Sequence, residues 1–294
     1  TKFNQKIIKR SHYYCKLNIG ESMKISICNE LFEGWSLERI MKFISNLGYD
    51  GLEIAPFTLA DDVSTINKEK RREIKELSET YGVKIVGLHW LLVKPEGLHI
   101  SHPNEKVRIK TIEYLKALIK FNHDIGGKIL VFGSPNQRSV LKDVSREKAW
   151  NWAKEVFKEA SRFAENYGSI IALEPLARHL TNFINTAEEA IKMIEEVNSP
   201  SFKLILDVYS MNDEEKSIGD IIRSSDKYLV HFHANDDNKL GPGFGNTDYI
   251  EVLKALKDIN YDGYLSVEVF DFTPGPENIA KKSIENLRRF LSRI

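Results

Sequence analysis

The sequence predicts an α/β fold, a single-domain (β/α)8 TIM barrel, because eight short apolar segments alternate with eight longer helical segments along residues 23–294. Strict alternation implies parallel strands joined by right-handed crossovers. About 270 residues is also a suitable length for eight such units. No G-x-G-x-x-G motif follows the first predicted strand, so the alternative, a doubly wound open sheet, is less favoured.

The predicted strands are short runs rich in Val, Ile, Leu, Phe or Tyr and bounded by turn residues. Several are almost entirely apolar, as expected of parallel strands that are covered on both faces. In chain order they cover residues 23–28, 51–55, 84–90, 128–133, 169–174, 202–207, 228–233 and 264–269.

The segments between these strands have apolar residues at helical spacing. One of them ends at Gly48, a residue type that commonly terminates helices. Another begins with Thr186 and Glu189, which are spaced as in a capping box. The clearest predicted helices cover residues 36–48, 104–125, 145–167, 186–196 and 276–294.

Residues 1–22 differ in character from the rest of the chain. They contain five basic residues and one acidic residue, and no apolar stretch long enough for a signal peptide. The first apolar run begins at Met23. We therefore expect residues 1–22 to be an N-terminal extension that is not part of the barrel, which covers residues 23–294.

The composition argues against several classes of protein. Lys and Arg together number 42, as do Asp and Glu, so the formal charge is zero, whereas proteins that bind nucleic acid usually have a basic excess. No apolar run reaches the ~18 residues that a membrane-spanning helix needs. Cys15 and Cys28 are too few for a disulfide framework and lack metal-ligand spacing, which predicts reduced thiols in a cytoplasmic protein.

Four consecutive predicted strands end in, or close to, a potential metal ligand. In chain order these residues are Glu174, Asp207, His233 and Glu268. Because the carboxyl ends of barrel strands meet at one rim, we expect these side chains to converge. Three carboxylates and one imidazole favour one divalent ion, with Mn²⁺ as the first expectation and Co²⁺ or Mg²⁺ as alternatives. Such an ion would also relieve the repulsion among the carboxylates.

The alternation of side chains along the last two strands supports this convergence. His231 and His233 share one face of their strand, and Phe232 takes the other. Ser266 and Glu268 likewise share a face. We expect both histidines inside the barrel, with His231 as a hydrogen-bonded core residue and Ser266 in the layer below Glu268.

Longer segments around these residues carry a family resemblance. EPLARHLTNFINT (174–186), LDVYSMNDEE (206–215), HFHANDDNKLGPGFG (231–245) and SVEVF (266–270) resemble the metal-dependent ketose 3-epimerases of the D-tagatose 3-epimerase group, which are xylose-isomerase-like TIM barrels. The resemblance runs in order along nearly the whole chain from Met23.

The resemblance implies a function and a set of roles. Glu174, Asp207, His233 and Glu268 match the family's metal ligands one for one. Glu174 and Glu268 would act as the catalytic pair, removing the C3 proton of a ketose such as D-tagatose, D-psicose or D-fructose and returning one on the opposite face. The family also suggests a homodimer or homotetramer.

The chain departs from the family where the substrate would bind. Leu180 replaces a glutamate, Ser210 a histidine and Lys239 an arginine, while the metal ligands are intact. The metal chemistry is therefore expected to be retained, whereas the identity of the sugar is open. His89 and Glu53 lie near strand ends and are two further candidate substrate contacts.

Weaker signals concern the rim of the barrel. Trp35 and Trp90 are candidates for stacking on a sugar. The loop 241–245 contains three glycines and is expected to be a mobile loop bordering the site, with a phosphate cradle as the alternative. Residues 134–138 are expected to form a structured loop.

Rival functions remain on sequence grounds. An aldose–ketose isomerase would use the same metal and carboxylates. A sugar-binding barrel without catalytic activity is a different class, favoured only by the altered substrate residues. DNA repair of the endonuclease IV type is disfavoured, because that multi-metal site expects a histidine where Ser210 stands and because the net charge is zero.

Overall fold

The computed structural model describes residues 23–294, and the predicted N-terminal extension at 1–22 lies outside the described residues. Eight parallel strands form a closed barrel in which each strand pairs with the next and the last pairs with the first. The strands are β1 (Lys24–Cys28), β2 (Gly51–Ile54), β3 (Lys84–Leu88), β4 (Ile129–Phe132), β5 (Ile170–Leu173), β6 (Phe202–Asp207), β7 (Leu229–Ala234) and β8 (Tyr264–Val267). The prediction of a (β/α)8 barrel is confirmed.

Helices connect successive strands and surround the barrel. After β6 the connection is divided between a single turn and a longer helix, where the sequence predicted one helical segment. The helices are α1 (Leu37–Leu47), α2 (Lys68–Tyr81), α3 (Glu105–Asp124), α4 (Arg146–Glu165), α5 (Ala187–Val197), α6 (Val208–Met211), α7 (Ile218–Ser224), α8 (Tyr249–Asp258) and α9 (Pro276–Leu291). None of these helices, within residues 23–294, is long and apolar enough to cross a membrane.

Short polar side chains define where the helices begin. The side chains of Ser36, Asn104 and Ser145 accept hydrogen bonds from backbone N–H groups in the first turns of α1, α3 and α4. Thr186 does the same for α5, as the capping box predicted. Each such cap stabilises its helix by about 1 kcal/mol. Gly48 ends α1 at φ 86°, a left-handed conformation that glycine adopts without steric cost.

The apolar core has two parts because strand side chains alternate between the two faces of the barrel wall. Along β4, Leu130 and Phe132 belong to the large cluster between the strands and the helices. Ile129 and Val131 belong to a small separate cluster with side chains of β5 and β6. This small cluster fills the barrel interior beneath β4–β6, so a polar layer can occupy the carboxyl ends of the strands.

Candidate active site

The ends of β5–β8 bring the four predicted metal ligands together. Glu174 directly follows β5, Asp207 ends β6, His233 is the penultimate residue of β7, and Glu268 directly follows β8. One ligand atom from each lies within 4.8 Å of the others, and all four side chains are buried. The predicted convergence of these residues at one rim is therefore present in the structure.

The orientation of His233 suits a cation. Its Nε2 lies 3.2 Å from Glu53 Oε1, and since a carboxylate only accepts, the proton of the neutral ring belongs on Nε2. Its Nδ1 points at carboxylates, 2.9 Å from Glu268 Oε2 and 3.9 Å from Glu174 Oε1, yet makes no hydrogen bond within residues 23–294. A lone pair that faces carboxylate oxygens requires positive charge between them.

The pKa values of the cluster indicate the same excess of negative charge. Burial, together with the charge of Glu268, raises the pKa of Glu174 to about 8 and that of Asp207 to about 6. Burial opposes a charge on His233, but Glu268 and Glu53 outweigh it and raise the pKa of that imidazole well above its ordinary value. A divalent cation would take the place of the protons that these groups otherwise retain. The donor set therefore fits a metal ion.

Glu53 lies beneath the cluster and not on the cavity wall, where it was expected to contact substrate. Its carboxylate accepts hydrogen bonds from His231 Nε2 at 2.7 Å, Ser266 Oγ at 2.8 Å and His233 Nε2. Burial disfavours its charge, but the two histidines prevail and hold its pKa well below the ordinary range. Glu53 therefore orients the ring of His233 from a position inside the barrel.

Asp207 is held from two sides. Its Oδ1 accepts the backbone N–H of Ser210 at 2.7 Å, and its Oδ2 accepts the side-chain amide of Asn235. Asn235 in turn accepts the backbone N–H of Tyr209 at 2.8 Å. Sequence reasoning missed Asn235, although it stands two residues after the predicted ligand His233 and directly follows the same strand.

A buried arginine supports Glu174. The guanidinium of Arg138 is fully buried. It donates to the backbone carbonyls of Glu174 and Phe132, and these two hydrogen bonds link the ends of β4 and β5. Gly133 leaves the space that the Glu174 carboxylate occupies, because a Cβ at this position would lie 1.9 Å from Oε2. The loop 134–138 is structured, as predicted, and its Arg138 supports the candidate ligand Glu174.

A cavity of about 150 Å³ opens above the cluster, and Glu174 and Glu268 both line it. Four of the predicted substrate contacts also lie on its wall: His89, Leu180, Ser210 and Lys239. Sequence reasoning missed other lining residues, which come from the loops and the single helical turn that follow the strands: Pro135, Leu176, His179, Tyr209 and Phe270. The signal that could have indicated them is their position within six residues of a ligand or strand end.

The mouth of this cavity is largely aromatic. Tyr209 packs against Phe270 with ring centroids 5.6 Å apart, and its hydroxyl lies 3.1 Å from His179 Nε2. Lys239 Nζ lies 5.8 Å from the Tyr209 ring. Leu180 is 39% exposed on the wall. A bound sugar would meet apolar faces here and one positive charge.

Two features of the rim differ from expectation. The loop 241–245 does not line the cavity; Gly243 donates to Asp236 Oδ2 at 2.9 Å, and a Cβ at this glycine would collide with Asn286 of α9. The side-chain amide of Asn286 also donates to the backbone carbonyl of Pro242 at 2.9 Å, which holds the loop against α9. Trp90 does line the cavity, whereas Trp35 lies in a neighbouring groove.

Several proteins named as sugar epimerases are similar to this chain. The D-psicose 3-epimerase of Enterocloster bolteae is 32% identical over 235 residues, which are 79% of this chain and 76% of that protein. The fructoselysine 3-epimerase of Shigella flexneri is 23% identical over 268 residues, covering 87% of this chain and 93% of that protein. A structure of D-psicose 3-epimerase with D-tagatose, from Clostridium cellulolyticum H10, superposes with a TM-score of 0.81 at 24% identity, covering 92% and 99% of the two chains.

The structural likeness supports the barrel fold. The model of the family described as xylose isomerase-like TIM barrel matches residues 41–290, which is most of the chain. This match confirms the family resemblance predicted from the strand-end motifs. The chain belongs to the xylose isomerase-like TIM barrel family.

Proposed function

We propose that the protein is a sugar epimerase that inverts C3 of a ketose with the help of one divalent metal ion. The observation that carries this proposal is the position of Glu174 and Glu268. Both belong to the ligand cluster, both line the cavity above it, and they come from strands three positions apart around the barrel. A sugar carbon between them would have a carboxylate on each face.

Epimerisation next to a carbonyl needs little more than this arrangement. Glu174, Asp207, His233 and Glu268 would hold a divalent cation, which would supply the positive charge that makes a carbon next to a sugar carbonyl more acidic. One glutamate removes the C3 proton, and the other delivers a proton to the opposite face. The starting epimer decides which glutamate acts first.

The remaining residues prepare the site. Glu53 orients the ring of His233, and Arg138 and Gly133 place Glu174. Tyr209 and Phe270 exclude water from the mouth, which strengthens the electrostatic interactions inside. Mn²⁺ as the metal, a cytoplasmic location, a homodimer or homotetramer, and residues 1–22 as an extension outside the barrel stay predictions from the sequence.

The site indicates the type of reaction more directly than it indicates the identity of the sugar. The relative from E. bolteae is named for D-psicose, and that from S. flexneri for fructoselysine. Leu180, Ser210 and Lys239 line the cavity at positions where the chain departs from the ketose 3-epimerase pattern. We therefore propose a ketose as the substrate class.

Proton exchange with solvent tests the proposal. The chain is incubated with Mn²⁺ in D₂O and a set of ketoses, and the deuterium position is read by NMR. We expect label at C3, and we expect Glu174→Gln and Glu268→Gln each to abolish it while the circular dichroism spectrum is retained. Label at C1 alone would instead assign aldose–ketose isomerisation. No label on any ketose would contradict the epimerase proposal and favour a barrel that binds sugar without reacting.

A further inference from the structure

A second and larger cavity lies beside the catalytic cavity at the same end of the barrel. This groove has a volume of about 1080 Å³ and is lined by segments that follow β1, β2, β3 and β8. Trp90 and Phe270 line both cavities, so the two spaces adjoin at these side chains. Trp90 has φ 51°, an unusual conformation for a bulky residue and one that tends to occur at ligand sites.

The groove exposes apolar surface that the fold itself does not require. Residues 23–294 contain five large apolar side chains that are exposed to solvent. Three of them line the groove: Phe57, Phe270 and Phe272. Leu180 lines the catalytic cavity, which leaves only Ile109 elsewhere among those five described residues. Clustered exposed apolar side chains indicate a surface that binds something.

The charged groups in the groove are mainly acidic. Four glutamates line it against one lysine. Lys70 pairs with Glu73 at 2.8 Å and Glu30 with His89 at 2.6 Å, which leaves Glu33 and Glu38 as the acidic excess. One face of the Trp35 ring is already covered by the Arg39 guanidinium, 3.5 Å from the ring centroid, so the phenylalanine rings are the aromatic faces left for a ligand. The chemistry therefore favours an apolar or aromatic group that carries a positive charge. The four glutamates are Glu30, Glu33, Glu38 and Glu73.

One hydrogen bond connects the two spaces. Glu30 lines the groove, and its Oε2 lies 2.6 Å from Nε2 of His89, which lines the catalytic cavity. The partition between groove and cavity thus consists of Trp90, Phe270 and this pair. A ligand seated in the catalytic cavity would reach the groove past these side chains.

We infer that the groove binds a substituent of the substrate, and that the substrate is a ketose linked to an apolar or aromatic group bearing an amine. The inference rests on the proposed epimerase function and names its substrate class. A free ketose would need only the smaller cavity, which leaves the adjoining aromatic and acidic surface without a ligand. A cationic aromatic substituent matches both the ring faces and the excess of carboxylates.

The test compares D-fructose with benzyl, 4-(aminomethyl)benzyl and 4-carboxybenzyl ethers of it, attached at either the first or the last carbon. The Mn²⁺-loaded full chain is assayed for deuterium incorporation at C3. At one of the two attachment points, the amine derivative should exceed D-fructose in kcat/KM by about tenfold, since aromatic contact and burial both add to binding. The carboxylate derivative should be the poorest of the substituted sugars.

Variants locate the effect in the groove. Phe272→Ala should reduce the ratio of kcat/KM for the amine derivative to that for D-fructose, and Glu33→Gln should narrow the difference between amine and carboxylate derivatives. Ile109→Ala is the control, because this apolar side chain is also exposed, at 52%, and lines neither cavity. It should leave every ratio unchanged.

Equal kcat/KM values across the series would overturn the inference. So would a preference for the amine derivative that appears only in a chain beginning at Met23, because the basic segment 1–22 would then be the occupant of the groove. Calorimetric binding of the same compounds separates this inference from the proposed function. Tight binding of the amine derivative that Phe272→Ala weakens, without deuterium in any sugar, would refute the epimerase proposal and leave the groove assignment standing.

Discussion

Glu53→Gln isolates the contribution of the buried layer beneath the candidate ligand cluster. The substitution keeps the shape of the side chain but removes its charge and replaces one acceptor oxygen with an amide N–H₂ group. Glu53 is fully buried and accepts hydrogen bonds from His231, His233 and Ser266. The new amide must face at least one of these donors, so at least one hydrogen bond becomes a contact between two donors.

The size of the effect follows from these bonds. Hydrogen bonds to a charged group contribute about 1.5–3 kcal/mol each, and a buried donor without an acceptor costs about 1–3 kcal/mol. We expect the free energy of unfolding to fall by about 2–4 kcal/mol. The ring of His233 also loses the partner that fixes its tautomer, and removing such a partner weakens metal binding by about 10- to 100-fold.

The assay is Mn²⁺ affinity, measured by competition with a fluorescent chelator at neutral pH, with circular dichroism to establish that the variant is folded. Ser266→Ala is the matched control. It removes one hydrogen bond to the same carboxylate but leaves both histidine bonds, so its Mn²⁺ affinity should equal that of the wild-type chain. A folded Glu53→Gln protein with wild-type affinity would refute the role assigned to Glu53.

Three further substitutions test other parts of the site. Gly133→Ala should displace the Glu174 carboxylate, because its Cβ would lie 1.9 Å from Oε2. We expect kcat for C3 exchange to fall at least about tenfold, with little change in the urea midpoint of unfolding. An unchanged kcat would show that Gly133 does not position Glu174. Arg138→Met should lower the free energy of unfolding, measured in urea, by about 3 kcal/mol, because two backbone carbonyls lose a charged donor. A decrease in that free energy of less than ~0.5 kcal/mol would contradict this expectation. Leu180→Glu should change the ranking of sugars by kcat/KM, and an unaltered ranking would show that this position does not contact substrate.

The barrel and the ligand cluster were predictable because each depends on local pattern. An apolar strand ending in a ligand can be recognised within a few residues, as at Asp207 and His233. Closure of the barrel then brings those ends to one rim whatever the details of the helices. Alternation along β7 correctly predicted that His231 and His233 share the interior face, since both hydrogen-bond to Glu53.

The supporting residues were not predictable, because their roles depend on partners far away in the chain. Glu53 bonds to Ser266 across 213 positions, and Arg138 reaches Glu174 across 36. Nothing in the neighbouring sequence of either residue distinguishes a buried positioning group from a polar rim residue. Glu53 was accordingly expected at the substrate, and Arg138 was expected in a loop of ordinary structural character.

The aromatic groove on the surface could not be predicted from the sequence for the same reason. Trp35, Phe57 and Phe272 come from three different strand-to-helix segments and meet only because closure of the barrel makes β1 adjacent to β2 and β8. The sequence by itself determined the alternation of elements and the family, and it predicted the four candidate ligands that the structure brings together, since short-range periodicity and strand-end chemistry suffice for them. Only the tertiary structure decided which side chains orient those ligands and what adjoins the catalytic cavity, because both depend on contacts between segments that are distant in the chain.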